Sequence, residues 1–293
     1  MRKSLFILPL VLVLLLNFTA PGIKVQSSER DFIKWIEFNA SSKIMTKAQR
    51  CQKKLKDNNI ANVTYFDLLA YVALKNGNNF NFKKDSITLD KLIKDISKLE
   101  KYRDNKYFKY YKESFAAVLG GIIDGNTGAT IGYHPIAKGN WYSSYNDFGT
   151  SRSFGFKRRH LGHDLFGRTG AQIMAIEGGT ITELGWNRYG GWRVGIRSHC
   201  TKRFYYYAHL RKGKPFAENL KIGDTIKAGQ LIGFLGNTGY SNIEDVNMKN
   251  CKPHLHFGLQ IIFDKSQEDG NGEIWVDPQQ ICSFLSNNRA TVK

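Results

Sequence analysis

The sequence changes character near Leu119, and this change limits the fold more than any other feature. Before it, apolar residues recur at helical spacing, as in the stretch SITLDKLIKDISKLEKY at 86–102. After it, glycines become frequent, and short apolar runs alternate with turn residues. We therefore predict an α+β fold: an N-terminal helical domain over residues 28–118, followed by a mainly antiparallel β-sheet domain over residues 119–293.

The N-terminal segment indicates the compartment. Arg2 and Lys3 precede an apolar run from Leu5 to Leu16, which is the pattern of a secretory signal peptide. The run is shorter than the roughly 20 residues of a membrane span, although an uncut segment up to Ile23 would just cross a bilayer. We predict a protein secreted to the cell envelope, with residues 1–27 removed. Retention of this segment as an anchor is the alternative, and only then is a membrane partner expected.

The chain is strongly basic, with a formal net charge of +18. Such a charge favours a polyanionic neighbourhood, and anionic cell-wall polymers would suit an exported protein. The sequence has no basic-aromatic ribonucleoprotein motif, zinc finger or basic zipper, so nucleic acid is not an expected partner. Its four cysteines allow three complete pairings, between which the sequence does not choose, and free thiols are an equal alternative.

Two histidines stand close together in CKPHLHFG, residues 251–258. On a strand, side chains alternate between faces, so His254 and His256 would point the same way while Leu255 and Phe257 face the core. Two such imidazoles are a weak metal signal by themselves.

A second stretch, RRHLGHDLFGRTG at 158–170, supplies a carboxylate. His160 and Asp164 share a face on either a helix or a strand, whereas His163 would point the other way and is interpreted as structural. One carboxylate with two imidazoles suits Zn²⁺, and three protein ligands leave one position for water, as in a catalytic site. His209, in the apolar run FYYYAHL, would by itself be typical of a core residue.

Taken in chain order, these motifs resemble the zinc metallopeptidases of the LytM and lysostaphin type, peptidase family M23. The segments GAQIMAIEGGTITELGWNRYGGWRVGIRS (170–198) and IGDTIKAGQLIGFLGNTGYS (222–241) are also similar to that family. The similarity covers roughly residues 130–280 and does not extend to the helical region. It departs from the family in a longer link, YSNIEDVNMKNCKP (240–253), which should alter access to the cleft.

The resemblance implies a role for each motif residue. His160, Asp164 and His256 would bind one Zn²⁺ ion. His209 and His254 would be the catalytic pair beside the activated water, one as proton acceptor and the other as stabiliser of the oxyanion, in an order that the sequence leaves open. Tyr207 is a candidate substrate-binding residue. His134 is expected to be a surface histidine, with a latent metal ligand as the alternative.

The resemblance implies a secreted zinc-dependent endopeptidase that hydrolyses peptide cross-links of bacterial peptidoglycan with a zinc-activated water. A first alternative is an envelope scaffold or binding protein on the same fold, with latent or no peptidase activity. A second is a zinc carboxypeptidase that trims the stem peptides of the wall.

Overall fold

The computed structural model describes residues 38–154, 156–264, 267 and 272–292, and these residues belong to one compact unit. The predicted signal peptide lies outside them. The helices of this part are α1 (Ser42–Asp57), α2 (Tyr65–Asn76), α3 (Phe82–Lys94), a 3-10 helix (Ile96–Tyr102), α4 (Lys106–Leu119) and α5 (Gln279–Leu285). None of the described helices has the length and apolar character that a membrane span requires.

The strands follow the helical region, as the change of composition predicts. They are β1 (Tyr142–Ser144), β2 (Ser151–Phe154), β3 (Phe156–Arg159), β4 (His163–Gly167), β5 (Gln172–Met174), β6 (Gly179–Asn187), β7 (Gly191–Ser198), β8 (Arg203–Ala208), β9 (Thr225–Ile226), β10 (Leu231–Phe234), β11 (His254–Ile261) and β12 (Ile274–Val276). The α+β prediction is confirmed, whereas the boundary between residues 118 and 119 stays a prediction.

Local sequence signals explain where the helices begin and end. Thr64 caps α2 in a reciprocal capping box with Asp67, and Gly77 ends the helix in the left-handed conformation, at φ +63°. The apolar stripe at 86–102 has helical spacing throughout, but the α-helix is interrupted at Asp95, between α3 and the 3-10 helix. There the Asp95 carboxylate accepts a hydrogen bond from the Ser97 hydroxyl, and such local bonds compete with the helical backbone.

Most strands form one antiparallel sheet in the order β1-β4-β11-β8-β7-β6-β9, with β12 also paired to β11. Two smaller sheets pair β5 with β10 and β2 with β3. Alternation in the central strands puts Leu255, Phe257 and Tyr205 fully inside the core. The intervening residues, such as His256 and Tyr206, therefore face the opposite side of the sheet.

The helices and the sheet share one hydrophobic core, which includes Leu69 of α2, Phe115 of α4 and Ile196 of β7. His134 corrects an expectation: it is fully buried, not a surface residue, and its Nδ1 accepts a hydrogen bond from the Ile136 N–H over 3.0 Å. Its ring packs on Tyr142, with centroids 4.5 Å apart.

Candidate metal centre

Three side chains from separate segments meet on the sheet face opposite the core. His160 Nε2 lies 3.0 Å from Asp164 Oδ1 and 2.9 Å from His256 Nδ1, and His256 Nδ1 lies 3.1 Å from the same carboxylate oxygen. Asp164 and His160 are almost completely buried, and His256 is partly exposed. Among the described residues, this is the group of histidines, cysteines and carboxylates that could hold a metal ion.

Strand pairing creates this triangle. Asp164 of β4 is directly opposite His256 of β11 in the antiparallel register, so their side chains leave the sheet side by side. His160 follows β3 and reaches back across the turn before β4. Gly162 makes the close packing possible, since a Cβ atom there would lie 2.5 Å from the His256 ring.

The donor set fits Zn²⁺. Ligand atoms about 2.0–2.1 Å from a tetrahedral zinc ion lie about 3.3 Å from one another. The three atoms here are separated by 2.9–3.1 Å, so a small adjustment would admit the ion. Two imidazoles with one carboxylate are also the kind of ligands that zinc takes in catalytic sites, where a fourth position stays open.

Asp147 holds His160 in place, and the sequence analysis did not identify this residue. The Nδ1 atom of His160 lies 3.3 Å from the Asp147 backbone carbonyl and 3.2 Å from its carboxylate. Because a carbonyl oxygen only accepts hydrogen bonds, Nδ1 carries the proton and Nε2 offers its lone pair to the metal position. Asp147 lies between β1 and β2, and nothing in its local sequence marks it as a partner of His160.

His209 and His254 lie beside the triangle, with ring centroids 4.8 Å apart. His209 Nδ1 donates to the Thr238 carbonyl and His254 Nδ1 donates to the Lys252 carbonyl, each over 2.8 Å. In their neutral forms both rings therefore present an unprotonated Nε2. Thr238 and the adjacent Gly239 belong to the GNTG turn, which explains why that motif accompanies the histidines.

Burial and neighbouring charges set the protonation of this group. Burial by itself would raise the pKa of Asp164, but the hydrogen bonds that the His160 and His256 rings donate in their protonated forms hold it well below its ordinary value. Burial lowers the pKa of His209 well below its ordinary value, and the nearby His254 and His256 add to this effect. The site therefore favours an ionised carboxylate and a neutral His209 imidazole.

The structure brings five of the six predicted site residues together and leaves Tyr207 out. Tyr207 is fully buried, packs on Phe257 and accepts a hydrogen bond from the Ile176 N–H over 3.0 Å. Its pKa is raised by burial. The expectation that Tyr207 binds substrate is corrected by this position, because strand alternation directs the neighbouring Tyr206 to the cleft instead.

The site opens into a cavity of about 420 Å³. Its walls carry aromatic, cationic and metal-site side chains: Tyr145, Arg152, Ser153, Arg158, His160, Asp164, Phe166, Tyr189, Gly190, Tyr206, Ala208, His209, Tyr240, Asn250, Cys251, Lys252, His254 and His256. The long link at 240–253 supplies four of them, which places it at the cleft as expected. All four cysteines of the chain are free, and Cys251 is the one on this wall.

Comparison with known proteins agrees with this geometry. Residues 158–271 match the model of peptidase family M23. The L-Ala--D-Glu endopeptidase of Bacillus subtilis is 35% identical over 137 residues, which are 47% of this chain and 38% of that protein. The glycyl-glycine endopeptidase ALE-1 of Staphylococcus capitis is 40% identical over 33% of this chain and 24% of its own length. The chain thus matches well under half of either relative.

A solved structure extends the likeness to the helical region. The crystal structure of a LytM-type protein from Ruminococcus gnavus superposes with a TM-score of 0.58 over 91% of this chain and 94% of that one, at 22% identity. Identity this low supports a common fold alone, and that fold includes the helices before the sheet. The five convergent residues all lie within 158–271, so the segment that forms the site is the one that is similar to peptidase family M23.

Proposed function

We propose that this protein is a secreted zinc-dependent endopeptidase that cuts peptide bonds in bacterial peptidoglycan. The observation that carries the proposal is the triangle of His160, Asp164 and His256, whose donor atoms lie within 3.1 Å of one another at the base of an open cavity. A purely structural polar cluster would have its donors and acceptors closed off from solvent. Here all three residues line the cavity, and His256 is partly exposed.

In the proposal, His160 Nε2, His256 Nδ1 and Asp164 Oδ1 hold the ion. A bound zinc ion would polarise the scissile carbonyl and bring the pKa of a bound water to about 7. The protein supplies the proton transfers. His209 and His254 both have Nδ1 anchored on a backbone carbonyl and direct Nε2 to the same region. One would take the proton of the attacking water and return it to the departing amine, and the other, protonated from solvent, would donate to the developing oxyanion.

The names of two relatives support the proposed substrate class. One is named for the L-Ala–D-Glu bond and another for the glycyl-glycine bond. We infer that this chain also cuts a peptide of the cell wall. The signal-like N-terminus and the net charge of +18 support an exported enzyme that works near anionic wall polymers.

The decisive experiment joins metal analysis to product identification. The purified protein is expected to carry one zinc ion per chain and to solubilise peptidoglycan sacculi, with loss of activity on chelation and recovery on addition of Zn²⁺. Mass spectrometry of the fragments would identify the bond and separate internal cleavage from carboxypeptidase trimming. A protein that binds no divalent metal, or that binds zinc and leaves chemically distinct sacculi intact, would support the scaffold alternative instead.

A further inference from the structure

Arg158 stands on the wall of the cleft and forms no ion pair with a residue that the structure describes. It precedes His160 by two residues at the end of β3, so strand alternation gives both side chains the same side. It is half-buried and lines the cavity. Across the β2–β3 hairpin it is directly opposite Arg152. Two cations opposite each other destabilise a strand pair unless anions lie nearby.

The two arginines differ in their partners. Arg152 forms ion pairs with Asp147 and, over 3.4 Å, with Asp164. Among the residues that the structure describes, no carboxylate pairs with Arg158. The Nε atom of Arg158 is buried and has no hydrogen-bond partner in the described part of the protein. A half-buried guanidinium on a cavity wall, without a carboxylate partner among the described residues, is suited to an external anion.

Two tyrosines fix the Arg158 guanidinium in position. One of its Nη atoms donates to the Tyr240 hydroxyl, and the group lies over the rings of Tyr240 and Tyr189 at 5.0 and 5.4 Å from their centroids. The Tyr240 ring in turn lies 5.7 Å from that of His209. Arg158 is therefore one side chain away from the proposed catalytic pair, and an anion bound to it would be part of the molecule being cut.

The charge of the cavity wall also favours an anionic ligand. Its described walls carry three permanent cations, Arg152, Arg158 and Lys252, against one carboxylate, Asp164, which also serves the metal position. A neutral oligoglycine chain offers this surface only carbonyl oxygens as acceptors. A peptide with a free carboxylate would form stronger, charge-assisted hydrogen bonds.

We propose that Arg158 binds a carboxylate of the substrate peptide next to the scissile bond, so that the enzyme prefers an acidic peptide to a neutral glycyl bridge. This inference rests on the proposed peptidase function and names the substrate class of the same site. The planar guanidinium matches a carboxylate through two parallel hydrogen bonds, which Lys could not reproduce.

The test uses two synthetic wall peptides that differ only in a free carboxylate or its carboxamide beside the scissile bond, together with an oligoglycine peptide. The zinc-loaded wild type is expected to cut the acid with a kcat/KM about 10- to 100-fold above that of the amide, the worth of one hydrogen bond to a charged group. Arg158→Gln should abolish the preference mainly by raising KM, and Arg158→Lys should keep part of it.

The matched control is Arg50→Gln, the same change at an exposed position on α1, which should leave the preference unaltered. Zinc content should be equal in all variants. Calorimetric titration with a non-hydrolysable analogue of the acidic peptide gives a readout without catalysis, and its Kd should weaken at least tenfold in Arg158→Gln. Equal cleavage of acid and amide by the wild type, or an undiminished preference in Arg158→Gln, would overturn this inference and leave the peptidase intact. Failure to cut any peptide or sacculus would overturn the proposed function itself.

Discussion

Two clusters of buried charge lie on opposite faces of the same sheet, and they are built in opposite ways. On the core face, Arg203 of β8 forms two hydrogen bonds with the Glu177 carboxylate, at 2.7 and 2.8 Å. Its third donor reaches the Ala117 carbonyl of α4, and the Tyr205 hydroxyl donates to Glu177 over 2.6 Å. On the cleft face, His160, Asp164 and His256 direct their donor atoms at a common point beside a cavity.

The difference shows what distinguishes a structural cluster from a chemical one. In the Glu177–Arg203 cluster each charge is matched within the protein, and the cluster joins the end of the helical region to the sheet. In the group of His160, Asp164 and His256, three donor atoms converge beside a cavity, an arrangement that suits a shared cation. Both clusters contain buried charged groups, so burial and charge do not distinguish them. The candidate site differs in two respects: its lone pairs converge on one point, and it has access to a cavity.

The largest effect is expected from His160→Ala. Loss of one of three ligands should release the zinc and lower activity by more than about 10³-fold, because the metal supplies several kcal/mol of transition-state stabilisation. Metal analysis and sacculus digestion would measure both. His199→Ala, at an exposed histidine, is the control and should retain zinc and activity. A His160→Ala protein with wild-type activity would show that the group of His160, Asp164 and His256 is not the catalytic centre.

The next largest effect is expected from His209 and His254, and it distinguishes these two histidines from the proposed zinc ligands. His209→Ala and His254→Ala should each lower kcat by about 10²- to 10⁴-fold, the usual contribution of a positioned acid or base, while the zinc content stays at one ion per chain. Comparison of their pH–rate profiles would assign the proton acceptor and the oxyanion donor. Loss of zinc from either variant would place that histidine among the ligands instead.

Substitutions in the Glu177–Arg203 cluster should lower the free energy of unfolding and leave catalysis unchanged. Glu177→Gln leaves the Arg203 charge buried without its partner, which typically costs about 3–5 kcal/mol of unfolding free energy. Denaturant titration would measure the loss, and activity per folded molecule should not change. The double variant Glu177→Leu with Arg203→Met should recover much of the stability, since it removes both charges. Zinc loss in folded Glu177→Gln would contradict the separation of the two clusters.

The smallest effect is expected from His134, a buried histidine outside the candidate site. It tests whether a buried atom without a hydrogen-bond partner affects stability alone or indicates a functional site. Its Nε2 has no hydrogen-bond partner in the described structure, and burial lowers its pKa to about 4. The folded state therefore resists protonation more than the unfolded chain, whose histidine pKa is about 6.5. The stability that depends on neutral His134 should be complete above about pH 6.5 and decrease as the pH falls towards 4, by roughly 3 kcal/mol.

Denaturant titrations between pH 4 and 7 would measure that dependence. His134→Gln should flatten the slope in this range, and His199→Gln should keep it. His163, whose pKa is also lowered by burial to about 4, contributes to the remaining slope. An unchanged slope in His134→Gln would mean that the folded protein accommodates the charge of this residue.

Much of the site could be predicted because it depends on local periodicity. Strand alternation correctly directed Leu255 and Phe257 to the core and His256 to the other side. The order of the motifs predicted the similarity to peptidase family M23, and the change near Leu119 predicted that helices precede strands. The same alternation argues against Tyr207, which shares the core side with Tyr205, but the sequence does not say which side of this strand is the core.

The sequence by itself determined the classes of element and the residue types available for chemistry, because these follow from spacing of two or about four residues along the chain. Only the tertiary structure decided which distant groups meet. Asp147 beside His160, the Glu177–Arg203 pair beneath α4 and the tyrosines around Arg158 each join segments whose approach depends on strand order and register. Those contacts depend on how the whole core packs, and no local pattern encodes them.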